Sequence, residues 1–190
     1  MSTVEVVYGI LFEPAKTLNF LGREKPLLPG LLIFCLTFTF ISVINRAITL
    51  LDSSINNIIP GTVSVWLLTA FSMAFAYIML ALMAGLFSLI SEIIYRRGNA
   101  SGLLACLSFA VIPGVLGPSL QYAAILLGIG SIGVLFSLFS ALWVLILQIL
   151  SLREALDLNT GQAVLLFTLP GLLFVAAFTG LSIILVSTIL

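Results

Sequence analysis

Four long stretches of the chain carry no charged side chain: Pro26 to Asn45, Ser53 to Ser91, Gly98 to Leu152, and Leu158 to Leu190. A helix crosses the bilayer with about 20 mostly apolar residues, and a charge near the midplane costs several kcal/mol. The stretches are continuous rather than alternating, which sets aside a membrane β-barrel. The pattern predicts spans over residues 27–50, 64–95, 102–127, 133–152 and 162–190.

The punctuation between the spans supports these limits. Pro26 and Pro29 fit the start of a helix better than its middle. A polar connection from Asp52 to Thr62, with Pro60-Gly61, separates the first two spans. The second span exceeds the ~30 Å hydrocarbon thickness at about 1.5 Å per residue, so it must tilt or project. It closes on Arg96, Arg97 and Gly98, a cationic last turn followed by a helix-ending glycine. Between Arg97 and Arg153 lie 55 uncharged residues, room for two spans, and the glycines of 128–133 mark the turn between them. In the loop Arg153 to Gly161, Asn159 stands three residues before Gln162, a capping-box signature opening the fifth span.

The segment Ser2 to Gly22 reads differently. Val4, Tyr8, Leu11, Ala15 and Leu18 recur at helical spacing, with Glu5, Lys16 and Asn19 elsewhere on the turn. Pro14 fits a first helical position, so the segment divides into two short helices near Glu13, the second stopping at Gly22. Residues 1–26 are expected to lie at the membrane surface as an amphipathic interfacial segment. The fold class is therefore all-α: a polytopic five-helix transmembrane bundle, residues 27–190 as one domain, behind a short N-terminal interfacial helix.

Composition agrees: 62% of residues are hydrophobic and 7% charged, and mean hydropathy is +1.32. A soluble domain is about a quarter charged and has too little interior to hide this surplus, so the remainder faces lipid. Charge placement adds direction. With five spans, Lys16, Arg23, Lys25, Arg96, Arg97 and Arg153 fall on one side, and of the seven cations Arg46 alone lies towards the other. The positive-inside rule then puts the N-terminus in the cytoplasm and the C-terminus outside a cytoplasmic membrane, with the six cations as cytoplasmic-side anchors. Met1 to Phe12 lacks a positive n-region and carries Glu5, so no cleavable signal peptide is expected there.

Chemistry-bearing constellations are sparse. Pro113-Gly114, Gly117-Pro118 and Gln121 crowd the third span, where two prolines five apart kink or interrupt a helix. Carbonyls freed by such a break could line a cavity, as in a small transporter or channel component. No carboxylate lies near the centre of any span, where an ion-coupled carrier normally places one. Small residues four apart (Ala70 and Ala74, Ala81 and Gly85, Ser137 and Ala141, Ala176 and Gly180) offer close helix contacts, including those of a homo-oligomer. Asn45, Gln121 and Gln148 are expected to bond between helices, and Glu92 to pair with Arg96 one turn on.

Histidine is absent, and Cys35 and Cys106 both lie inside apolar runs as small packing residues. Asn99-Ala-Ser101 matches the glycosylation pattern but falls on the cytoplasmic side, and Ser101 is expected to cap the third span. No phosphate loop, zinc motif or nucleophile elbow is present, and Asp52 and Asp157 are both in loops. No catalytic residue, metal or cofactor is expected. With zero net charge, nucleic acid is not an expected partner; membrane lipids and a protein partner are.

The order of features resembles the Yip domain (Ypt-interacting protein) in its short prokaryotic form. The residues are Phe12-Glu-Pro-Ala-Lys-Thr-Leu-Asn-Phe-Leu21 before the first span, Leu107-Ser-Phe-Ala-Val-Ile-Pro113 in a later one, Trp143, and Leu156-Asp-Leu-Asn-Thr-Gly-Gln-Ala163 before the last. The resemblance covers Phe12 to Leu185. It implies five helices, a cytoplasmic N-terminus and no catalytic site. Eukaryotic members bind prenylated Rab GTPases through a long N-terminal region and act in vesicle traffic. Here only residues 1–26 precede the first span, and the Asp-Leu-Tyr-Gly-Pro motif of that group is missing, so Rab binding is not expected.

Overall fold

The structure, a computed structural model, describes residues 3–51, 62–172 and 179, with side chains from Leu67 onward in the second of these stretches. Every regular element among them is helical. The order is α1 (Thr3–Phe12), α2 (Pro14–Glu24), α3 (Leu27–Leu51), α4 (Thr62–Tyr95), α5 (Ala100–Ala110), a 3₁₀ turn (Ile112–Val115), α6 (Leu116–Leu126) and α7 (Gly130–Ala155). A shorter apolar helix, α8 (Thr160–Leu172), follows. Among the described residues, four spans are long and apolar enough to cross a membrane: α3, α4 from Leu67, α5 through α6, and α7. The expected fifth span starts as α8; from residue 173 on, Thr179 apart, it lies outside the described residues.

The helix ends follow their local chemistry. Glu13 separates α1 from α2, with Pro14 in the first helical turn. Helix α2 runs past Gly22 to Glu24 and stops where Lys25 turns left-handed at φ 52°, its N–H bonded to the Leu21 carbonyl; Pro26 then prevents continuation. Helix α4 ends on Arg96 at φ 59° rather than at Gly98. Between α6 and α7 the left-handed position is Gly128, φ 74°. Gly128 N–H bonds Ile125 O at 3.0 Å and Ile129 N–H bonds Ala124 O at 2.9 Å, the paired bonds of a Schellman close. The capping box before α8 forms: Gln162 Oε1 accepts from the Asn159 N–H at 3.0 Å.

Contacts along the helices fix the topology. Helices α3 and α4 run antiparallel, with Tyr77 Oη donating to Leu31 O at 2.5 Å and the sulfur of Met73 beside Cys35 (3.6 Å) and Thr39 (3.7 Å). The third span descends one side of α7 without doubling back. Asn99 reaches Ala155, Pro113 meets Ser140, and Gln121 meets Ser137. A Cβ on Gly133 would lie 3.0 Å from the Cβ of Ala124. As the number rises on one strand of this pairing it falls on the other, so the break is a kink in a single passage.

That passage is the centre of the bundle. Half of its most apolar window is buried, against 11–17% for the other three spans. Its neighbours present Leu28, Leu32 and Leu36 on α3, Phe71, Phe75 and Ile78 on α4, and Leu135, Leu138 and Phe139 on α7 to the outside, as helices facing hydrocarbon do. Fully enclosed apolar side chains include Ile10, Leu18, Leu21, Leu103, Cys106, Leu147, Leu152, Ala163 and Leu166. They gather where α1 and α2 lie against α5 and the last turns of α7.

Helix α1 corrects the expected stripe. Val6, Gly9 and Ile10 are buried, whereas Val4, Tyr8 and Phe12 are exposed, the two rings stacked at 4.5 Å. The break at Glu13 gives each short helix its own axis, so a single periodicity drawn through both loses phase. Helix α2 keeps the expected Leu18 and adds Thr17 and Leu21.

Candidate functional site

Among the described residues, two places concentrate the polar groups: the break in the third span and the junction of helix ends near residue 99. At the break, Pro113 and Pro118 lack the N–H that would continue the helical ladder. The Pro113 carbonyl accepts instead from Ser140 Oγ of α7 at 2.8 Å, and from the Leu116 N–H. Ser137 Oγ donates to Gln121 Oε1 at 2.8 Å. Gly117 sits so close to α7 that a Cβ there would lie 2.9 Å from the Cβ of Ser140. Gly114 faces Val144 and Ile41. Pro113 and Gly117 are buried, and Gly114, Pro118 and Gln121 are half-buried. The five residues singled out at the break are thus brought together as the seam between α6 and α7, with α3 behind.

The junction was not anticipated. Asn99, not Ser101, is the N-cap of α5, its Oδ1 accepting from Gly102 N–H at 3.2 Å. Its Nδ2 donates to Gly22 O of α2 (3.0 Å) and to Ala155 O of α7 (3.1 Å), and its own N–H donates to Ser88 Oγ of α4 (3.0 Å). One side chain therefore caps the start of α5 and serves late carbonyls of α2 and α7. Gly102 leaves the space for this: a Cβ there would overlap the Asn99 side chain and the Gly22 carbonyl. Gly22 lies against Ala155 in the same way: a Cβ there would stand 3.1 Å from the Ala155 Cα. Asparagine and serine rank together at the top of N-cap preferences, so local preference does not choose between Asn99 and Ser101; the long-range bonds of Asn99 do.

Around this junction the structure collects the cations. Arg23 and Lys25 follow Gly22, Arg96 and Arg97 precede Asn99, and Arg153 precedes Ala155. Arg153 Nη2 pairs with Glu154 at 2.6 Å, while Asn19 of α2 donates to the other oxygen of that carboxylate at 3.0 Å. Lys16 pairs with Glu13 at 3.4 Å, both well exposed, an arrangement contributing under about 1 kcal/mol. The expected Glu92–Arg96 pair does not form, because Arg96 leaves the helix in left-handed conformation; Glu92 turns towards Gly98 instead. Ser91, fully buried beside the junction, has no hydrogen-bond partner for its hydroxyl.

The remaining expected contacts divide. Gln121 bonds between helices, but Gln148 lines an apolar cavity of about 390 Å³ between α4, α5, α7 and α8. Asn45 is exposed, its carbonyl accepting from Thr49. Of the small pairs, Ser137 packs on α6, whereas Ala70, Ala74 and Ala81 face outward and nothing stands within 4 Å of a Cβ on Gly85; Ala176 and Gly180 lie outside the described residues. The cysteines are free thiols with separate surroundings, Cys106 Sγ lying 3.2 Å from Leu18 O. No group of three His, Cys, Asp or Glu able to hold a metal occurs among the described residues.

Residues 8–181 match the family described as Yip1 domain. No curated protein and no solved structure matches the chain significantly.

Proposed function

The chain belongs to the Yip1 domain family, and on that premise we propose that it is a non-enzymatic, partner-binding protein of the short prokaryotic type in a cytoplasmic membrane. In this reading residues 27–190 form one domain of five spans, the N-terminus is cytoplasmic and the C-terminus outside. Residues 1–26 lie along the cytoplasmic interface, with the exposed Val4, Tyr8 and Phe12 of α1 dipping into the acyl boundary. Lys16, Arg23, Lys25, Arg96, Arg97 and Arg153 anchor that side.

One observation carries the proposal: Asn99 ties the ends of α2, α5 and α7 together, and five of the seven cations, Arg23, Lys25, Arg96, Arg97 and Arg153, lie within three residues of the groups it joins. A rigid, polar platform on an otherwise apolar protein suits recognition by a partner more than chemistry on a substrate. The seam at Pro113 supports the same reading, since Ser140 satisfies the carbonyl that a transport site would leave free for solute.

Photo-crosslinkers placed at Lys16 and Arg23 in native membranes test it. A discrete protein adduct is expected from both positions and none from Leu138 on the lipid-facing side of α7. Solute flux in proteoliposomes that falls on Pro113→Ala or Pro118→Ala would replace this reading with that of a transporter.

A further inference from the structure

The seventh cation stands apart from the other six. Arg46 lies 19 residues beyond Leu27, the start of α3, which at 1.5 Å per residue places it about 28 Å along the helix. That distance is close to the ~30 Å hydrocarbon thickness, so Arg46 reaches the headgroup boundary opposite the Asn99 junction. It is half-buried, in a cleft of about 280 Å³ between α3 and α4. Thr39, Ser42 and Thr69 contribute hydroxyls to the cleft, and Val43 and Leu50 form its apolar wall.

Two polar groups in this cleft have no partner among the described residues. No hydrogen bond or ion pair ties Arg46 or the Ser42 hydroxyl among the described residues. The two are four residues apart and so share one face of α3. A guanidinium has five donors and no acceptor, and in a poorly hydrated cleft it is stabilised by an anion held bidentately. A tetrahedral phosphate offers that geometry with oxygens to spare for a serine hydroxyl.

The occupant comes from the bilayer. Val43 and Leu50, which line the cleft, are about half exposed on the lipid-facing side of α3. An anion arriving there brings an apolar tail with it, and the Val43–Leu50 wall receives such a tail. We propose that the Arg46–Ser42 cleft binds the phosphate of an anionic glycerophospholipid in the leaflet opposite the cation-rich end. This site is independent of whatever partner the other end takes.

Native mass spectrometry of the full chain in detergent, titrated with phosphatidylglycerol or with phosphatidylcholine of the same acyl chains, tests the proposal. The parent protein should bind phosphatidylglycerol about tenfold more tightly, a difference of about 1.4 kcal/mol. Arg46→Gln should abolish that preference, and Arg46→Lys, which keeps the charge but not the fork, should retain part of it. Should Arg46→Gln fail to fold, Ser42→Ala carries the test with an expected loss of about threefold, or ~0.7 kcal/mol. A preference left unchanged by these substitutions overturns the proposal. So does displacement of phosphatidylglycerol by millimolar inorganic phosphate, which would make the site one for a free anion.

Discussion

Asn99→Ala is expected to lower the unfolding free energy by about 2–4 kcal/mol, the largest loss from any single polar side chain in the bundle. The substitution removes the cap of α5, worth about 1 kcal/mol. It also strips the Gly22 and Ala155 carbonyls of their donor, at about 1 kcal/mol or more each. Two further variants separate the parts. Asn99→Ser keeps an oxygen for the cap and should recover roughly a third of the loss. Asn99→Asp caps well but turns a carboxylate towards two carbonyl oxygens, and should be as damaging as alanine. Thermal unfolding in detergent, followed by far-ultraviolet circular dichroism, reads all three. An aspartate variant as stable as the parent would show that the bonds to α2 and α7 contribute nothing.

Gly133→Val is expected to open the α6–α7 seam. A Cβ at 133 would stand 2.9 Å from Gln121 Cα and 3.0 Å from Ala124 Cβ. Backbone cannot swing aside as a flexible side chain does, so the helices must separate. Overpacking of this kind costs about 1–3 kcal/mol, and separation also breaks the Ser137–Gln121 and Ser140–Pro113 bonds, each worth about 0.6 kcal/mol between membrane helices. Gly85→Ala is the control: its Cβ meets nothing within 4 Å, and helix propensity favours alanine by up to ~1 kcal/mol. The expected pattern is therefore a sharp loss of unfolding temperature at 133 and none at 85, measured side by side. Equal behaviour at the two positions would contradict the tight seam.

These two sites also show what a sequence discloses about a membrane bundle. The charge gaps gave α3, α4, the broken third span and α7 to within a few residues, because the cost of burying charge in hydrocarbon is large and local. Pro14, the prolines of the third span, the 128–133 turn and the Asn159–Gln162 box also behaved as local chemistry dictates. What failed was relational. Gly98 looked like the end of α4, yet Arg96 takes the left-handed position, where the 5→1 bond from its N–H to Glu92 O closes the helix. Ser101 looked like a cap because the Asn99 side chain is chosen by three helices at once. The small pairs of α4 looked like contact faces, but Ala70 and Ala74 are exposed, with no helix among the described residues covering them. Periodicity in lipid marks a helix without saying which face meets protein, because hydrocarbon and a neighbouring helix accept the same residues.

The sidedness of the cation-rich junction underlies the functional proposal, and dual-reporter fusions after Gly98, Ser131, Asn159 and Leu190 test it most directly. The account predicts cytoplasmic signals after Gly98 and Asn159 and external signals after Ser131 and Leu190. A cytoplasmic signal at Leu190 would contradict the five-span arrangement, and an external signal at Gly98 would turn the platform away from the cytoplasm altogether.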